Sequence, residues 1–100
     1  MNIHLEKPYV ETVKQILLKH GFQNGIYVFG SRARGDHKKY SDLDLVYKSP
    51  SNESSLTPKI LTRLKTDFED SDLPITVDLV DWSQLTPEFK QNIEPDLIAF

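Results

Sequence analysis

The feature that most restricts the fold is a pair of short apolar segments joined by a connection rich in glycine and arginine. The first segment, Ile26–Phe29, is bounded by Gly25 and Gly30, which is typical of a buried strand. The second, residues 42–47, alternates acidic and apolar side chains at its start and predicts a strand with one face toward the core. Residues 30–36 between them indicate a turn that opens into a short helix.

Three longer helices are predicted, each with a proline at or near its first position: residues 8–20, 58–71 and 87–94. The first has apolar residues at three- and four-residue spacing and ends before Gly21. The second has Thr57 as its expected N-cap. Its buried stripe is expected to consist of Leu61, Leu64 and Phe68.

A third strand is predicted at residues 75–80, where Pro74 restarts the chain after the second long helix. The apolar tail, residues 97–100, is expected to form an edge strand or to cover part of the core. Residues 48–55 are rich in serine, proline and asparagine and indicate a surface loop. These elements predict an α/β (α+β) fold, with a small mixed sheet and helices packed on it.

The length, charge and composition of the chain limit the kinds of partner and compartment that we expect for it. The 100 residues are expected to form a single domain with one modest core. A net charge of −3 does not favour direct nucleic-acid binding, and no apolar run approaches the ~20 residues of a membrane span. The absence of cysteine, and a first segment without the features of a signal peptide, favour the cytoplasm.

The turn after the first strand has the composition of a phosphate-binding loop. Gly30 lets the backbone turn sharply with no side chain in the way. Ser31 can offer a hydroxyl and an N–H group to phosphate oxygens. Arg32 or Arg34 can add a fork of donors.

The second strand carries a candidate metal site. Asp42 and Asp44 are two residues apart, so they project from the same face, roughly 6.6–7 Å apart along it. Neighbouring carboxylates repel each other unless a cation lies between them. Oxygen ligands suit Mg²⁺ or Mn²⁺, and a pair of such ions can stabilise both oxygens of a phosphoryl transfer. Asp78 is the expected third carboxylate, because it lies in an apolar run, whereas Asp81 suits a turn or cap.

These residues, Gly30-Ser31-Arg32-Ala33-Arg34-Gly35 followed by Ser41-Asp42-Leu43-Asp44-Leu45, resemble the polymerase-beta-like nucleotidyltransferase superfamily. Within it they look like the minimal nucleotidyltransferase (MNT) family, and the likeness extends over nearly the whole chain. The resemblance implies that Gly30 and Ser31 hold the triphosphate of ATP or another NTP, with Arg32 as a phosphate contact. It implies that Asp42, Asp44 and Asp78 bind the metal ions, and that Asp78 also helps to deprotonate the acceptor hydroxyl.

The resemblance also implies a partner and an acceptor. MNT proteins often pair, as antitoxins, with a small helical HEPN-domain toxin and adenylylate one of its tyrosines. The predicted helices and strands account for most of the chain, and few residues remain that could enclose a small molecule. We therefore expect a protein acceptor. The alternatives are nucleotidyl transfer to a small molecule such as an aminoglycoside, and a non-catalytic antitoxin that acts by binding.

Overall fold

The computed structural model describes residues 3–50 and 56–100, so part of the predicted 48–55 loop lies outside the described residues. Regular elements alternate along the chain: α1 (Lys7–Lys19), β1 (Ile26–Phe29), α2 (Ser31–Arg34), β2 (Leu43–Tyr47), α3 (Pro58–Glu69), β3 (Val77–Asp81), α4 (Pro87–Ile93) and β4 (Ile98–Ala99). Two 3-10 turns, Trp82–Gln84 and Glu94–Asp96, flank α4. Among these residues, no helix has the length and apolar character needed to cross a bilayer.

The four strands form one mixed sheet in the order β3-β2-β1-β4. The central pair, β1 and β2, is antiparallel, and β4 adds antiparallel to the other side of β1. The connection through α3 brings β3 alongside β2 in parallel. The expected mixed sheet with packed helices is therefore confirmed, and the apolar tail forms the edge strand that was one of its two expected positions.

The main core lies between the sheet and helices α1 and α3. Leu43 and Leu45 of β2 are fully buried there, together with Val13 of α1 and Leu64 of α3. A smaller cluster on the opposite face is built around Phe29, Val46 and Ile93. One face of the sheet is thus covered by two long helices, and the other only in part, by α4 and its flanking turns.

Side-chain caps begin two of the helices, and one of them is the predicted N-cap Thr57. The Thr57 hydroxyl accepts a hydrogen bond from the backbone N–H of Ile60, and the Thr86 hydroxyl accepts one from that of Phe89. A proline follows each threonine, where its missing N–H group costs nothing. Both bonds satisfy an N–H group that would have no partner within the helix.

Side chains at the C-terminal ends of α1 and α3 form a contact that the pattern of residues in the sequence did not predict. The His20 ring nitrogen Nε2 lies 2.7 Å from Oδ2 of Asp67, and the Lys19 ammonium lies 3.2 Å from the same oxygen. At the C-terminal end of α1, a histidine is most simply expected to interact with the carbonyl groups of its own helix. The structure instead pairs it with the second long helix.

Candidate active site

The parallel pairing of β2 with β3 places two candidate carboxylates side by side. Asp44 and Asp78 are direct partners in the register, as are Leu43 and Val77 before them. Adjacent strands lie about 4.8 Å apart, and partners in register project from the same face. Asp42 precedes β2 by one residue and shares the parity of Asp44. The three carboxylates therefore lie on the incompletely covered face, near the start of both strands.

Asp44 also closely approaches the turn that follows β1. A Cβ atom added to Gly30 would lie 2.6 Å from Oδ2 of Asp44, closer than real Cβ contacts allow. Gly30 has φ 76° and ψ −155°, a region that only glycine adopts readily. Glycine is thus required here by two independent constraints. The sequence argument anticipated the sharp turn but not the carboxylate packed against it.

The electrostatics of Asp44 indicate a local excess of negative charge. Its half-buried position raises the pKa of the Asp44 carboxyl, and the nearby charges of Asp78 and Asp42 raise it further. Arg34 opposes this shift in pKa because its positive charge favours the ionised form. A cation bound among these carboxylates would remove the repulsion that they impose on one another.

Asp78 has an environment that differs from the one expected, whereas Asp81 has the role that its position predicted. Asp78 is exposed, as the second residue of β3, so the argument that its burial demands a metal was wrong. Asp81 is the buried acid, with 7% of its surface exposed. Its Oδ1 accepts hydrogen bonds from the backbone N–H and the hydroxyl of Ser83. Asp81 is therefore the cap that its position at the strand end predicted.

The Gly30 turn leaves a donor available to a ligand. The Gly30 carbonyl accepts the N–H groups of Ala33 and Arg34, which closes the first turn of α2. Within the two described stretches, the neighbouring Ser31 hydroxyl has no hydrogen-bond partner. Ser31 directly follows Gly30, the residue that Asp44 approaches, so the two candidate parts of the site adjoin each other along the chain.

Arg32 is placed where a phosphate contact is not expected. Its side chain is only 5% exposed and donates three hydrogen bonds to backbone carbonyls. The acceptors are the carbonyls of Ser41 at 3.0 Å, His4 at 2.8 Å and Lys39 at 3.2 Å. The guanidinium is thus committed to holding the segment that leads into Asp42. The reading of Arg32 as a phosphate ligand needs correction, because a buried guanidinium with these partners has no fork to offer.

Arg34 is the accessible cation of this turn. Its Nε lies 3.1 Å from Asp36 and its Nη1 lies 3.5 Å from Asp96, and its side chain is about half exposed. The hydrogen bond to Asp36 is the main cause of a raised pKa for the guanidinium, which is charged in any case. Its influence on Asp44 shows that it lies within the electrostatic field of the carboxylates.

The donor set suits a divalent cation that also binds phosphate. Among residues 3–50 and 56–100, no three acidic, histidine or cysteine side chains are gathered into a ready-made metal cage. Mg²⁺ does not require such a cage, because it usually keeps several waters and binds one or two carboxylates together with substrate phosphates. The registered pair Asp44 and Asp78 supplies those carboxylates, and their repulsion is what such an ion relieves. The residues present therefore fit Mg²⁺ or Mn²⁺.

A mixed sheet with carboxylates on adjacent strands, beside a Gly-Ser turn, is the arrangement expected from the resemblance to nucleotidyltransferases. The chain belongs to the polymerase beta nucleotidyltransferase family, whose description is "Polymerase beta, Nucleotidyltransferase" and which matches residues 11–98. The expected membership of the nucleotidyltransferase family is thereby confirmed.

Two curated relatives refine this likeness. The chain is 46% identical over 68 residues to "Probable protein adenylyltransferase MntA" of Haemophilus influenzae, a match that covers 68% of this chain and 57% of that protein. It is 36% identical over 78 residues, 78% of either protein, to a Methanocaldococcus jannaschii protein whose name also describes a protein adenylyltransferase. The chain thus spans little more than half the length of the Haemophilus relative.

A solved structure from Sulfolobus solfataricus, described as that of a nucleotidyltransferase, aligns over 99% of this chain and 91% of its own. The TM-score is 0.47 and the sequence identity is 20%. A likeness this distant adds nothing to the assignment of the site.

Proposed function

We propose that this protein transfers AMP from ATP to a hydroxyl group of a partner protein, in a reaction that requires Mg²⁺ or Mn²⁺. The observation that carries the proposal is the register of Asp44 with Asp78, beside the Gly30-Ser31 turn. The names of the two relatives support a protein as the acceptor. Residues 1–100 would act as one nucleotidyltransferase domain, in the cytoplasm.

The carboxylates would hold the metal. Asp42, Asp44 and Asp78 lie on one face and supply oxygen ligands, the kind that hard divalent cations prefer. When bound, a divalent ion neutralises charge on the triphosphate and on the departing pyrophosphate. Asp44 is half-buried and lies against Gly30, whereas Asp42 and Asp78 are exposed.

The remaining groups would bind and orient the nucleotide. Ser31 offers a hydroxyl that is not used within the described chain, at the turn that Gly30 makes possible. Arg34 would exchange its exposed carboxylate partners for phosphate oxygens, with which a guanidinium forms comparable bidentate contacts. We assign to Arg34 the phosphate contact first expected of Arg32.

The transfer itself needs little covalent chemistry from the protein. The acceptor oxygen attacks the α-phosphorus of ATP, an oxygen–phosphorus bond forms, and the bond between the α-phosphorus and the bridging oxygen breaks to release pyrophosphate. The exposed carboxylate of Asp78 takes up the acceptor proton or passes it to water. Positioning supplies most of the rate in reactions of this kind.

The acceptor would bring its own complementary surface. The face that carries the carboxylates is only partly covered by α4 and its flanking turns, so the site is open to a macromolecule. A net charge of −3 makes nucleic acid a poor acceptor. A tyrosine of a small helical HEPN toxin is the acceptor that the family resemblance implies, with this protein as its antitoxin.

The test combines the purified protein with ATP labelled at the α-phosphate, Mg²⁺ and a co-expressed HEPN-domain partner. We expect AMP on a partner tyrosine, found by peptide mass spectrometry, and its loss in Asp78→Asn. Asp72→Asn is the matched control, since Asp72 is an exposed acid outside the site. Labelling of an aminoglycoside with none on any protein would replace the protein acceptor by a small molecule.

A further inference from the structure

One tyrosine of this chain is presented to solvent beside the active site. Tyr40 is 65% exposed, whereas Tyr47 is 7% exposed and Tyr9 and Tyr27 are partly buried. The stretches outside the described residues contain no tyrosine, so the comparison covers all four tyrosines of the chain. Tyr40 is therefore the one phenol that a second macromolecule can reach freely.

The backbone around Tyr40 is clamped rather than loose. The Ser41 N–H donates to the Lys38 carbonyl at 3.1 Å, and the Lys38 N–H donates to the Ser41 hydroxyl at 2.7 Å, which closes a tight turn. The buried Arg32 holds the carbonyls on both sides of Tyr40, those of Lys39 and Ser41. The ring therefore extends from a turn whose position is set by the protein interior.

This turn lies close to the active site, but Tyr40 faces away from the site's own carboxylates. Tyr40 precedes Asp42 by two residues and lines an open cavity of about 450 Å³ that continues along Pro74 and Val77. Val77 packs in the main core on the helical face of the sheet, while Asp44 and Asp78 project from the other face. Tyr40 would have to release the Arg32 clamp before it could reach its own site.

The side chain beside Tyr40 suits an approach to a bound triphosphate. The Lys39 ammonium lies 5.3 Å from the centre of the Tyr40 ring, within the range of a cation–π contact. The same ammonium would place a positive charge beside the phenol ring as its hydroxyl approaches the phosphates of another molecule.

We propose that Tyr40 is itself an adenylylation site, modified by a second copy of this chain. The Tyr40 oxygen of one molecule attacks the α-phosphorus of ATP held by another, an AMP–tyrosine ester forms, pyrophosphate leaves, and the phenol proton passes to solvent or to Asp78 of the donor copy. The proposal rests on the adenylyl transfer proposed above. The modified turn would carry a new negative charge next to Asp42 and so weaken further binding of ATP.

The test uses the full chain alone with ATP and Mg²⁺, followed by intact-mass and peptide mass spectrometry. We expect one AMP per chain on Tyr40, complete loss of this adduct in Tyr40→Phe, and retention in the matched control Tyr9→Phe. Doubling the protein concentration should double the initial rate per molecule, since the reaction takes place between copies.

Mixing two variants isolates the transfer between copies. Tyr40→Phe keeps the active site but lacks the acceptor, and Asp78→Asn keeps the acceptor but lacks activity. In the mixture, AMP should appear only on the Asp78→Asn chain. If the wild type acquires AMP but neither chain of the mixture does, transfer between copies is overturned.

Adding the HEPN partner separates failure of this inference from failure of the function. Label on the partner with none on Tyr40 overturns the inference and leaves the proposed function standing. If neither the partner nor Tyr40 is labelled, and Asp78→Asn binds ATP as the wild type does, the proposed function fails.

Discussion

Gly30→Ala tests how closely the nucleotide turn and the metal carboxylate depend on each other. The added Cβ would lie 2.6 Å from Oδ2 of Asp44, where real contacts are not shorter than 3.0 Å. The Asp44 carboxylate must therefore move by at least about 0.4 Å, or the turn must open by as much. The backbone at φ 76° and ψ −155° adds a strain of about 1–3 kcal/mol for a residue other than glycine.

The expected results are a loss of stability in that range and, separately, a loss of activity in the protein that remains folded. A displacement of about 1 Å at a catalytic group costs on the order of 100-fold in rate, and the shift required here is at least about 0.4 Å. We therefore expect kcat/KM for adenylyl transfer to fall by about 10- to 100-fold, at a temperature where circular dichroism shows the variant folded.

Gly21→Ala is the matched control for this experiment. Gly21 also has a positive φ, 89°, but a Cβ there meets nothing within 4 Å. It should lose about 1–2 kcal/mol of stability from the backbone alone and keep its transfer rate within two-fold. If Gly30→Ala kept full activity, or if both variants lost activity to the same extent, the contact between Gly30 and Asp44 would not matter for catalysis.

Three further predictions address the core, the helix pair and the buried arginine. Leu64→Ala should lower the free energy of unfolding by about 2–5 kcal/mol in urea titrations, because Leu64 is 1% exposed; a loss under 1 kcal/mol would contradict the packing. The hydrogen bond from His20, and next that from Lys19, lowers the pKa of the Asp67 carboxyl. The stability that this pairing adds to the fold is therefore present above the unfolded pKa of about 3.9, and it is lost as the pH falls through the pKa of Asp67 in the folded state. The stability difference between wild type and Asp67→Asn should therefore close in acid, and a difference that does not vary with pH would refute the pairing. Arg32→Lys should lower the melting temperature, since a lysine cannot replace three guanidinium bonds, whereas a phosphate contact would predict weaker ATP binding at unchanged stability.

Local signals in the sequence predicted the elements and the caps. The limits of β1 were predicted because glycines bound a short apolar run, and the start of α3 because Thr57 and Pro58 form a recognisable helix beginning. The register that aligns Asp44 with Asp78 depends on pairing between distant segments, which no short pattern encodes.

The errors concerned the burial and the hydrogen-bond partners of individual side chains. Periodicity placed Asp78 within an apolar run, but the run became an edge strand whose Asp78 side chain is exposed. Arg32 and Arg34 are alike by composition, and only the fold shows that the first is buried against three carbonyls. The pairing of His20 with Asp67 spans two helices and has no local signal.

The central claim is that Asp44 and Asp78 bind the nucleotide through a divalent cation, and calorimetry of ATP binding tests it most directly. Wild-type protein is titrated with ATP in Mg²⁺ and in EDTA, and Asp44→Asn is titrated under the same two conditions. We expect EDTA to weaken ATP binding to the wild type at least ten-fold. Asp44→Asn should weaken ATP binding in Mg²⁺ to a similar extent, and EDTA should have little further effect on this variant. If the wild type bound ATP equally well in Mg²⁺ and in EDTA, the carboxylates would not bind the nucleotide through a divalent cation.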